Sequence, residues 1–237
     1  MTSLDDLLTV QELDTRVDQL RHRREHLEER AALKDANDAL SAAEAAEREC
    51  STRLRALRSA QKEAEDHASL LEDKADAVQR SMYDGSVSAH KELEALQAEH
   101  VMLKEHQAEH EDRALELMEQ AEPVESELAG LTDAVAAARA EVERLGAALT
   151  VAEAELDAEL DGVVAERAAA AEGLPAEIVA AYEGLRSKLG GVGAARLNGA
   201  RCEGCHLEIP SAQLEAVRKA PPDALVTCPE CMRILVR

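Results

Sequence analysis

An unbroken heptad constrains this chain more than any other feature. Alternating steps of three and four residues lead from Leu93 through Leu96, Leu103, Ala114, Leu117 and Val124 to Val135, Leu145 and Leu156 without a change of phase. Apolar side chains repeating every 3.5 positions form a seam between helices that wind left-handedly around one another. The first half carries the same pattern in two blocks, Val10 to Ala31 and Leu33 to Met82, with a slip of phase near Ala31–Leu33. His100, Gln107, His110 and Gln61 put polar layers on the seam, which fix alignment at some cost in stability. Cys50 also falls on it and reads as a small buried hydrophobe.

The composition suits a seam and little else. Neither Phe nor Trp occurs among the 237 residues, and 32% are charged. Leu, Val and Ala supply nearly all the apolar volume, enough for a narrow contact between helices but not for a broad core. Tyr83-Asp84-Gly85-Ser86-Val87-Ser88 is the turn-like stretch between the halves. Gly85 supplies the left-handed residue that stops one helix, and Ser88 is placed to cap the next.

The expected fold is therefore mainly α. Residues 1–173 should form a long antiparallel two-helix coiled-coil hairpin with its turn near 83–88. Arms of about 75–80 residues would span about 110–120 Å, with residue i facing roughly residue 170 − i. That register sets the basic cluster Arg53, Arg55 and Arg58 near Glu111, Glu116 and Glu119, and Gln61 near His110. Pro123 should kink the second arm, since it lacks a backbone donor and crowds the preceding turn. Residues 174–191 read as a short connecting helix opened by Pro175 and closed by Gly190-Gly191.

Residues 192–237 carry different signals. Cys202 and Cys205 form one C-x-x-C pair, Cys228 and Cys231 another. Two such loops face to face present four thiolates at tetrahedral angles, the coordination of structural Zn²⁺. One ion so held has no open position for catalysis. Short strand-like segments flank the loops: Ala194–Leu197 before the turn Asn198-Gly199, Ala224–Thr227, and Arg233–Val236. Ser211 after Pro210 is placed to cap a short helix that Pro221-Pro222 stops. A small C-terminal zinc-ribbon β domain is the expectation.

The formal charge of −22 is unevenly placed. From Arg196 to Arg237, six basic residues stand against five acidic ones, leaving −23 on the rest. So acidic a coiled coil repels nucleic acid and anionic membranes. Any RNA or DNA contact would fall to Arg196, Arg201, Arg218, Lys219, Arg233 and Arg237. Met1 to Leu20 shows no basic start before an apolar run, and no apolar stretch reaches the length of a membrane span. The expectation is a cytoplasmic protein without a membrane partner, its cysteines metal ligands and not disulfides.

Competing motifs are weaker. Cys202-Glu203-Gly204-Cys205-His206 matches the c-type haem attachment pattern, which requires export and leaves Cys228 and Cys231 unused. His106-Gln107-Ala108-Glu109-His110 matches an inverted zinc-protease signature, but no loop beside it forms a pocket. A two-helix coiled coil has no cleft for a nucleophile or paired carboxylates, so no enzyme is expected.

The chain resembles the bacterial C4-type zinc-ribbon proteins with an N-terminal coiled-coil hairpin. The resemblance rests on Tyr83-Asp84-Gly85 with Lys91-Glu92-Leu93-Glu94-Ala95-Leu96, on Tyr182-Glu183-Gly184-Leu185-Arg186, and on Cys202-Glu203-Gly204-Cys205-His206. It closes on Cys228-Pro229-Glu230-Cys231-Met232-Arg233-Ile234-Leu235, where Met232 replaces a usual glycine and should strain its turn while leaving the ligands intact. The resemblance implies a zinc-binding, non-enzymatic protein. Relatives are linked to RNA binding and to chaperoning protein partners such as an alternative sigma factor. The expected function is that of an adaptor or chaperone-like interaction protein whose coiled coil presents the ribbon to a protein partner. The alternative is an RNA-binding module contacting phosphate through the six basic residues. Oligomeric state is left open by the sequence.

Overall fold

The structure, a computed structural model, describes residues 4–85, 88–221 and 224–237. It is mainly α, a long helical hairpin followed by a small strand region, as the heptad and the cysteine spacing predict. No described helix is long and apolar enough to cross a membrane. The chain divides into two compact units. One, the hairpin unit, is Leu33–Leu145; the other, the ribbon unit, joins the chain through Ala32 to Gly146–Arg237.

The first arm is two helices, not one: α1 spans Leu4–Glu25 and α2 spans Glu28–Tyr83. The break lies at His26-Leu27, a few residues before the phase slip read from the sequence. No glycine or proline marks it. The His22 carbonyl keeps its backbone bond from His26 N at 3.1 Å, and side chains add contacts to the carbonyls around the break. His26 Nδ1 lies 2.8 Å from the His22 carbonyl, and Arg30 Nε donates to the Arg24 carbonyl at 3.2 Å. Asp5 and Asp6 begin α1, and His22, Arg23 and Arg24 end it, matching the helix dipole at both ends. Ala31, last of the first heptad block, is exposed, whereas Leu33 rejoins the seam.

The second arm is α3, His90–Glu172, and Pro123 lies inside it without ending it. Gly85 has φ +80, and Asp84 N donates to the Arg80 carbonyl at 3.0 Å, so the helix stop falls where the turn chemistry put it. Ser86 and Val87 of that turn lie outside the described residues. Ala89, not Ser88, precedes the first helical residue, and its carbonyl accepts from Leu93 N at 3.1 Å. Every heptad position named above for α3 is buried or half-buried.

The pairing register differs from the expected one by about two to three and a half helical turns. In the hairpin unit Arg53 pairs with Glu127, and Arg58 Nη2 reaches Glu125 at 2.5 Å; the expected partners Glu111, Glu116 and Glu119 are not the ones used. Arg55 forms no ion pair among the described residues. His67, and not Gln61, stacks on His110, with ring centroids 5.2 Å apart. Heptads repeat identically along both arms, so a shift of whole heptads keeps every seam residue inside and only tertiary contacts select one.

In the ribbon unit, α4 spans Ala176–Arg186 behind Pro175. Strands β1 (Ala194–Asn198), β2 (Arg201–Cys202) and β3 (Ile234–Val236) follow, with α5 (Ser211–Lys219) between β2 and β3. The sheet order is β2-β1-β3, β1 being antiparallel to β2 and parallel to β3. Gly199, with φ +63, turns the chain from β1 into β2. Pro210, not Ser211, occupies the cap position of α5; the expected stop Pro221-Pro222 is described only at Pro221. Ala224–Thr227 is not a strand. Thr227 makes a single bridge to Ile234 on the edge of β3 away from β1, and Leu235 N donates to the Val226 carbonyl at 2.7 Å.

The sheet's two-residue period divides its side chains between two cores. Ala194, Ile234 and Val236 pack with Leu7 and Val10 of α1 and with Ile178 and Tyr182 of α4. Ala195 and Leu235 point the other way, into Cys202, Ile209, Leu214, Val217 and Cys228. The ribbon therefore shares a core with the N-terminal helix. Burying each of Ile234, Leu235 and Val236 contributes about 1.5–3 kcal/mol.

Candidate metal centre

The two cysteine loops are built alike. His206 N donates to the Cys202 carbonyl at 2.7 Å, and Met232 N to the Cys228 carbonyl at 2.9 Å. Cys202 N donates to the Leu207 carbonyl at 3.0 Å, and Cys228 N to the Arg233 carbonyl at 2.8 Å. These bonds curl each C-x-x-C so that both thiols face one point. The residue after the second cysteine must then take a left-handed conformation, and His206 and Met232 have φ of 61 and 64. The strain expected at Met232 is thus shared by both loops, since neither has glycine there.

The four Sγ atoms all lie within 4.8 Å of one another. Cys202 Sγ is 3.9 Å from Cys231 Sγ, and Cys205 Sγ is 3.9 Å from Cys228 Sγ. A tetrahedral zinc with Zn–S bonds of about 2.3 Å separates its sulfurs by about 3.8 Å. The four cysteines fit one structural zinc ion. When bound, the ion supplies cross-linking and no open coordination position.

The surroundings tune the thiols unequally. Burial pushes Cys202 up to about 12 against the backbone N–H groups of Cys205 and Gly204, which favour its thiolate. Cys228 is likewise raised by burial. Burial also opposes the Cys231 thiolate, but the Arg233 backbone N–H and guanidinium outweigh it and bring Cys231 down to about 7. Metal binding must therefore expel protons, chiefly from the buried side of the site.

Gly204 lets the first loop approach the chain that leaves the second. A Cβ at this position would lie 2.7 Å from Arg233 Cδ and 2.8 Å from Ala195 Cβ. Gly193 has the same role against α4, where a Cβ would lie 2.8 Å from the Tyr182 carbonyl oxygen.

The six basic residues are scattered in their duties. Arg201 Nε donates to the His206 carbonyl at 3.0 Å, and Arg218 to the Gly199 carbonyl at 3.0 Å. Arg233 donates to the Val192 carbonyl at 3.0 Å, and Arg237 to the Val217 and Ala220 carbonyls at 2.9 and 2.7 Å. Lys219 pairs with Glu215 at 2.6 Å. Only Arg196 among the six has an exposed side chain without a hydrogen bond or ion pair among the described residues.

Sequence reasoning missed what holds the ribbon to the helices. Gln11 Nε2 donates to the Gly191 carbonyl at 3.0 Å, while its Oε1 accepts from Gly193 N at 2.7 Å. Asp14 accepts from the Tyr182 hydroxyl at 2.8 Å and pairs with Arg167 and Arg186. Burial, then the bond to Asp14, raises the Tyr182 hydroxyl far above its ordinary range. A signal existed: Leu4, Leu7, Gln11 and Asp14 form a second stripe at heptad spacing beside the seam that begins at Val10, a face that the hairpin alone does not use.

Known proteins match both parts. The CT398-like coiled coil hairpin domain matches residues 10–190, and the C4-type zinc ribbon domain matches residues 201–235. The Mycobacterium tuberculosis protein Rv2229c is 32% identical over 237 residues, covering 98% of this chain and 94% of that protein. A solved structure from Mycobacterium smegmatis is 28% identical, with a TM-score of 0.74 over 99% of this chain and 97% of that one. CT398 from Chlamydia trachomatis shares the fold at 20% identity, with a TM-score of 0.72 over 99% and 97% of the two chains. With the hairpin match spanning most of the chain and the four-cysteine loops behind it, this protein belongs to the CT398-like coiled-coil hairpin family and carries its metal in a C4-type zinc ribbon.

Proposed function

We propose that the protein is a non-enzymatic, zinc-binding interaction protein, an adaptor or chaperone-like module that offers its coiled coil and ribbon to a protein partner. The observation that supports this most is the engagement of the ribbon's cations. Four of the six basic side chains donate to backbone carbonyls, which sets their direction within the ribbon, and Lys219 pairs with Glu215 on the same helix. A phosphate-binding face needs several free cations acting together, usually with aromatic rings for stacking. Here Arg196 is the one of the six with no hydrogen bond or ion pair among the described residues, and the ribbon region has no Phe, Tyr or Trp.

The test is a pull-down from the native host, split into nuclease-treated and untreated halves, with the Cys205→Ser chain alongside. A protein retained after nuclease by the intact chain supports the adaptor reading. Captured RNA, or proteins that vanish with nuclease, would overturn it in favour of nucleic-acid binding.

A further inference from the structure

The seam of the hairpin unit is not closed over along its whole length. Between α2 and α3 lies a groove of about 400 Å³ whose floor is Ala68, Ala114, Leu115 and Met118. Leu115 and Met118 keep 53% and 36% of their surface exposed. The walls are acidic: Glu65, Glu72 and Glu111 line the same groove. Elsewhere in this unit Glu44, Glu125 and Glu127 each hold an arginine across the hairpin. The three groove carboxylates hold no Lys or Arg among the described residues. Glu65 accepts from the Gln61 amide at 2.7 Å and Glu111 from the Gln107 amide at 2.7 Å, contacts that leave both charges uncompensated.

We infer that this groove docks a basic amphipathic helix of a partner protein. Apolar side chains of that helix, spaced i, i+3, i+4 and i+7, rest on Leu115, Met118 and the alanines, while its flanking lysines or arginines face Glu65, Glu72 and Glu111. Methionine and alanine suit such a floor, one adapting its shape and the other admitting close approach. From Gln61 to Glu72 the α2 wall rises about 16 Å, room for about three turns of a docked helix. A second copy of this chain is the wrong occupant, because a net charge of −22 sets acid against acid. The inference rests on the adaptor reading above and gives it a site.

The probe is a labelled 14-residue peptide of leucine and lysine, leucines at helical spacing, titrated into the zinc-loaded full chain at physiological salt. Glu65→Gln with Glu72→Gln and Glu111→Gln should weaken binding about tenfold or more. Leu115→Ala with Met118→Ala should weaken it about fivefold, both residues being exposed enough to leave the fold intact. A control triple on the same unit, Glu49→Gln with Asp133→Asn and Glu143→Gln, should change it less than about twofold. Circular dichroism confirms unchanged helicity in each chain. Equal weakening by the two triples would mean diffuse attraction to an acidic chain and overturn the inference, as would indifference to Leu115 and Met118. A protein partner that survives nuclease and is retained by the groove triple would overturn the groove alone and leave the adaptor reading standing.

Discussion

In the hairpin unit the interior is one side chain deep. Its buried members include Cys50, Ala64, Ala68, Ala75, Ala114 and Ala121, and its cross-hairpin ion pairs sit at the surface, Arg53 and Glu127 each about half exposed. In the ribbon unit the interior is convergent. Tyr182, Leu7, Ile234, Leu235, Val10, Val236, Cys202 and Cys228, the largest fully buried side chains, all belong to it. Its central ion pairs are largely withdrawn from water, with Asp14 only 8% exposed between Arg167 and Arg186. The hairpin unit repeats one contact many times and loses little from any single change. Single residues of the ribbon unit hold three elements at once, and their loss is felt throughout it.

The metal offers the largest break in this comparison. Cys205→Ser should release the zinc and unfold the cysteine loops. Because Ala194, Ile234 and Val236 lie in one core with α1 and α4, hydrogen exchange should also quicken in Leu4–Glu25 and Ala176–Arg186. Residues 33–145 should stay protected. Retention of one zinc per chain, or loss of protection in both units together, would refute this division.

Asp14→Ala comes next, with an expected cost of roughly 3–5 kcal/mol read from the urea midpoint of the ribbon unit, since Arg167 and Arg186 are left without their shared partner. Arg58→Ala, at a pair about half exposed, should move the hairpin unit within experimental error. Gly193→Ala should cost about 1–3 kcal/mol through the Cβ driven against Tyr182.

Alkaline pH probes the same junction. The folded-state value of Tyr182 is raised above its unfolded one, so its contribution is complete below about pH 10 and is lost as pH rises beyond that. The tyrosinate absorbance missing from Tyr182→Phe should emerge only above pH 10 and together with loss of the ribbon unit's fold. Emergence in the intact fold would show that the burial is not enforced. The smallest effect is a gain: Met232→Gly should raise the ribbon's stability by about 0.5–1 kcal/mol, by relieving a left-handed φ of 64.

How far the sequence reaches differs between the units for the same reason. The seam from Leu93 to Leu156 is legible because a helix converts spacing directly into a face, and every named position is inside. The zinc site is legible because four ligands come in two local pairs whose loop geometry is set within five residues. The break at His26-Leu27 was not, since no glycine or proline marks it and only side-chain contacts of His26 and Arg30 accompany it. Nor was the register, with Arg58 on Glu125 and His67 on His110, because a repeat offers equivalent alignments.

By itself the sequence determined the helical hairpin, its turn at Gly85 and a tetrahedral site for one zinc. Each follows from local spacing and from backbone conformations that only certain residues accept. The tertiary structure alone decided that the ribbon packs on α1 and α4, that Gln11 and Asp14 clasp it there, and that four of the ribbon's arginines are held on its own backbone carbonyls. Those outcomes depend on which distant segments meet, and a side chain's partners across 180 residues leave no periodic trace in the chain that carries them.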